Sequence, residues 1–93
     1  MNKFNPIVRE KRNPKRSDLI AGWSPGLQIY VVSVLQNYSF MYYCDYYEIT
    51  QETYDHFEEP DFDPPLGRRL FSEAPVGGHA NENNPLREKF YGR

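Results

Sequence analysis

Few side chains in this sequence are equipped for metal binding or nucleophilic chemistry: one cysteine, Cys44, and two histidines, His56 and His79. No pair among them, with carboxylates added, has a recognised ligand spacing, so no metal site is expected. His56 follows Asp55, a pair suited to acid–base work, but both lie in an acidic run where a solvated surface accounts for them. Ser24 sits in Trp23-Ser24-Pro25-Gly26, which is not a nucleophile elbow, and Gly77-Gly78 is too short to cradle a phosphate. Cys44 adjoins Asp45 and lacks a nearby cation to favour its thiolate. The expectation is a non-enzymatic chain with no catalytic residue, no cofactor and no small-molecule substrate.

The elements that would position such groups are limited by length. Ninety-three residues make one domain at most, and a chain of this size buries only about 60–65% of its extended surface. A single cysteine allows no internal disulfide, and no apolar run with a small-residue cleavage site follows Met1. Aromatic residues reach 16%, more than half of them tyrosines, which argues against disorder and suits surfaces apolar on one side and wet on the other.

Charge is strongly segregated. Residues 1–18 carry Lys3, Arg9, Lys11, Arg12, Lys15 and Arg16 against Glu10 and Asp18. Residues 19–44 have no charged side chain, and residues 45–63 hold Asp45, Glu48, Glu52, Asp55, Glu58, Glu59, Asp61 and Asp63 with no Lys or Arg. Residues 64–93 are mildly basic. As a helix the uncharged stretch would be roughly 39 Å long, enough to cross a hydrocarbon core of roughly 30 Å. Its basic and acidic flanks have the asymmetry that orients a span, with Trp23 at one end and Tyr42, Tyr43, Tyr46 and Tyr47 at the other, as in an aromatic belt. The expected fold class is mainly α: a single transmembrane helix with extended, largely irregular flanks. The expected segments are a basic arm at 1–18, a membrane helix within 19–47, an acidic juxtamembrane stretch at 48–65 and a docking tail at 66–93.

On a helix, Leu27, Tyr30, Val31, Val34, Leu35, Tyr38 and Met41 share one arc, leaving Gln28, Gln36 and Asn37 on a mixed polar face for packing against protein neighbours. A second reading makes Gln28–Leu35 and Ser39–Thr50 a strand pair, because the first is rich in β-branched residues and the second in aromatics. Short apolar runs do not distinguish the two by periodicity. Beyond them, Thr50–Phe57 suggests an acidic helical turn, Glu58–Pro65 stops regular structure, and Leu86–Tyr91 suggests one more helical turn. Phe57, Phe62, Leu86 and Phe90 stand out as apolar anchors that would dock the tail on partner proteins.

Two short runs resemble accessory subunits of respiratory complex I. His56-Phe57-Glu58-Glu59-Pro60-Asp61, after a candidate span, is similar to small single-span subunits of the AGGG type. Pro75-Val76-Gly77 and Asn83-Asn84-Pro85-Leu86-Arg87-Glu88 resemble the tail of the ASHI type. The resemblance implies a structural, non-redox subunit of the mitochondrial inner membrane with its basic N-terminus on the matrix side. Its partners would be other protein subunits and membrane lipid, with no nucleic acid. The alternative function is a small soluble interaction or inhibitor module with an acidic binding surface.

Overall fold

The computed structural model describes residues 6–38, 41–73 and 85–92. The stretch expected to be a membrane helix forms strands instead. β1 (Val8–Arg12), β2 (Leu19–Ser24), β3 (Ile29–Tyr38), β4 (Met41–Ile49) and β5 (Arg69–Ser72) make one antiparallel sheet whose spatial order follows the sequence. Two short helices, α1 (Gln51–Asp55) and α2 (Pro85–Phe90), are the helical elements among the described residues. No helix among these residues is long and apolar enough to cross a membrane. The mainly α fold, the single span and the inner-membrane placement with a matrix-facing basic end are therefore corrected.

The register shows why the uncharged stretch is apolar without being lipid-facing. Leu19, Ala21 and Trp23 of β2 lie opposite Val34, Val32 and Tyr30 of β3, which lie opposite Asp45, Tyr47 and Ile49 of β4. These residues form the first face, where Leu19, Ala21, Val32, Val34 and Ile49 pack with Tyr54 and Phe57 around α1. Val31, on the other side of β3, belongs to a second cluster with Ile7, Leu70, Phe71 and Phe90, the last brought by α2. A strand buried on both faces reads as a continuous apolar run rather than an alternating one. Its β-branched Ile29, Val31, Val32 and Val34 favour the pleated backbone.

Local chemistry sets the turns. Between β2 and β3 the backbone N–H of Gln28 donates to the Ser24 carbonyl at 2.7 Å, and the buried Ser24 hydroxyl accepts from the N–H of Leu27 at 3.1 Å. Gln28 closes the turn in the left-handed region with φ 60. α1 begins at Thr50, extended at its φ and ψ, whose hydroxyl accepts from the Thr53 N–H at 3.1 Å. β1 is an edge strand, and its pairing shifts between Val8 and Lys11, where Arg9 has φ 55. A charged, bulged edge discourages addition of a foreign strand.

Candidate functional site: an acidic surface over the first face

Asn13 anchors this region. It is 3% exposed, and its Nδ2 donates to the carbonyls of Phe57 at 2.9 Å and Phe62 at 3.0 Å. Its Oδ1 accepts from the backbone N–H groups of Lys15 at 2.9 Å and Arg16 at 3.1 Å. One amide thus ties the basic loop after β1 to the acidic loop after α1, with both donors used and its oxygen twice engaged. Nearby, Lys11 donates to the Tyr54 carbonyl at 3.1 Å and lies 4.2 Å from the Tyr54 ring centre. The Tyr54 hydroxyl donates to the Arg9 carbonyl at 2.6 Å, and Tyr54 stacks on Tyr30, which meets Trp23 edge-on.

The fold uses part of each charged block. On the basic side, Arg9 sits over Trp23, Lys11 over Tyr54, Lys15 near Asp61 at 3.8 Å, and Arg16 on Asp18 at 3.1 Å. The Arg16 hydrogen bond is the main reason the Asp18 carboxyl is held below its ordinary pKa. On the acidic side, Glu59 binds His56, raising the pKa of that exposed imidazole chiefly through the hydrogen bond. Glu52, Asp55, Glu58 and Asp63 are exposed and make no ion pair among the described residues.

A cleft of about 450 Å³ opens beside this surface, between the end of β4, α1 and the approach to β5. Ile49, Pro65 and Leu66 give it apolar walls, and Glu48, Glu52 and Arg68 stand around it. Its outer wall is hydrogen-bonded to β4: the Gly67 N–H donates to the Glu48 carbonyl at 2.9 Å, and the Glu48 N–H to the Arg68 carbonyl at 2.8 Å. A side chain at Gly67 would put its Cβ 2.5 Å from the Glu48 carbonyl oxygen, so only glycine allows this approach.

The residues singled out by sequence are dispersed. Gln28 lies in the β2–β3 turn and donates to the Pro25 carbonyl at 2.7 Å. Gln36 on β3 donates to Asp45 Oδ2 at 3.3 Å, while Asp45 Oδ1 is buried without a hydrogen bond. Asn37 is exposed on the same strand. Phe57 and Phe90 are fully buried, one on each face of the sheet, and Leu86 packs against the second cluster. Phe62 is half-buried beside the His56 ring. His79 and the runs at 75–77 and 83–84 lie outside the described residues. Cys44 is half-buried, and burial is the main cause of its raised thiol pKa. No group of three or more metal-ligating side chains occurs among the described residues.

Sequence reasoning missed Asn13. It carries a faint signal, since Asn-Pro favours a turn in which the amide engages nearby backbone. Leu66 is legible as one of the apolar residues recurring on the polar tail. Comparison with known protein families, with characterised proteins and with solved structures gives no match.

Proposed function

We propose that this protein is a small, non-catalytic interaction or inhibitor module that binds a basic protein segment through its acidic surface. The supporting observation is the cluster of carboxylates on and after α1: Glu52, Asp55, Glu58 and Asp63 are exposed and make no ion pair among the described residues. Crowded like charges repel one another, and a cation from outside the chain relieves that repulsion. The α1 helix and the Asn13 clamp hold that cluster on a defined scaffold, which lowers the ordering cost of binding.

A peptide of alternating lysine and glycine tests this by calorimetric titration. Binding should be saturable and salt-dependent. Asp55→Asn, Glu58→Gln and Asp63→Asn should each weaken it by about two- to fivefold at low salt. Affinity that ignores all three changes together would sink the reading.

A further inference from the structure

The cleft beside the acidic surface combines three features suited to one kind of side chain. Its walls are apolar at Ile49, Pro65 and Leu66, and Leu66 is 40% exposed. Glu48 and Glu52 add carboxylates to its lining. Glu48 is held by Arg68 at 3.5 Å, a pair whose side chains are substantially exposed and which contributes little by itself. A cleft lined by both apolar side chains and carboxylates matches a side chain with a long aliphatic stem and a cationic tip.

Resting on the proposed function, we infer that this cleft receives a lysine or arginine side chain of the bound basic segment. The methylene stem lies along Leu66 and Pro65. The cationic head reaches Glu52 and competes with Arg68 for Glu48. The occupant is argued from charge complementarity: with Glu48 already paired to Arg68, a purely apolar side chain would leave Glu52 without a cation, and an anion would face both carboxylates.

Two variants keep the inference separate from the general acidic-surface reading, because neither removes a negative charge. Leu66→Ser should weaken binding of the lysine–glycine peptide by about tenfold, since Leu66 is an exposed apolar residue of the cleft wall. Arg68→Gln frees Glu48 and should strengthen binding more than Arg69→Gln, which removes the same charge from outside the cleft. Nuclear magnetic resonance should show the Gly67 and Arg68 amides shifting with the lysine peptide but not with its norleucine counterpart. If the peptide binds and the three acidic substitutions weaken it, yet Leu66→Ser and Arg68→Gln behave like wild type and those amides stay still, the cleft assignment is wrong and the acidic surface stands. Equal shifts with the norleucine peptide would also overturn it, by making the occupant apolar. If the lysine peptide fails to bind at all, both readings fall together. The circular dichroism of Leu66→Ser checks that this exposed substitution leaves the sheet intact.

Discussion

Asn13 shows how much of the scaffold rests on a single amide. Its Nδ2 and Oδ1 face opposite partners, so the two halves separate by substitution. Asn13→Asp keeps the acceptor for Lys15 and Arg16 but loses the donors to Phe57 and Phe62. Asn13→Ala loses both and should cost about 2 kcal/mol in urea denaturation. Asn13→Asp should cost a similar amount if the donors dominate; full stability in Asn13→Asp would show that they do not. His56 offers a test by pH. Its folded pKa is raised above the ordinary 6.5, first by the hydrogen bond to Glu59 and then by its charge. The stabilising effect is therefore complete below that ordinary value and fades as pH rises through the folded value. The charged imidazole also offsets part of the acidic surface, so affinity for the lysine peptide should increase over the same rise. A ring-proton titration should find the midpoint above 6.5, and Glu59→Gln should return it toward that figure.

Elements explain both what could be read from the sequence and what could not. The acidic turn at Thr50–Phe57 contains α1, and the turn at Leu86–Tyr91 overlaps α2, because capping chemistry and proline breaks are local signals. The strand pair was equally visible in the β-branched and aromatic composition of 28–50. What tipped the balance to a span was the lack of charge, and that lack has another cause: Val31 faces α2 while Val32 and Val34 face α1. Two-sided burial erases the alternation that identifies a strand, and only the tertiary arrangement reveals it. Phe57 and Phe90 were conspicuous for the same reason, as large apolar residues on polar segments, but they fill this chain's own core. The cleft was illegible, since it needs β4, α1 and the Gly67 segment to meet. The seating of α2 is open to test. A Cβ on Gly26 would collide with the Lys89 carbonyl, next to the buried Phe90. Gly26→Ala should push the helix outward, cost about 2 kcal/mol and speed amide exchange in α2. Unchanged exchange there would show that the turn yields instead.

For the whole molecule, the two faces divide the tasks. The second face is closed by α2, and the first carries α1 and the acidic surface. The ion pairs that accompany this arrangement are mostly at the surface, with Lys15 and Asp61 largely solvent-exposed. Salt should therefore act unequally on folding and on binding. Raising sodium chloride toward 0.5 M, roughly, should move the melting temperature little while nearly abolishing capture of the lysine peptide, because screening falls on exposed charges. A parallel collapse of the melting temperature would mean that the basic and acidic blocks hold the fold together instead.

The strand order has a kinetic corollary. In a sheet whose neighbours are consecutive in sequence, β1 to β4 meet their partners across short loops, so closure entropy is small and pairing can proceed hairpin by hairpin; β5 follows a longer connection that carries α1. A chain emerging from the ribosome can assemble β1 through β4 before the rest exists. Phe90 comes late, and until it arrives the stacked Phe71 and Tyr46 lack the third ring of their cluster. The half-built protein thus shows its sticky side longest where α2 will sit, and that is where a nascent chain would first need a chaperone.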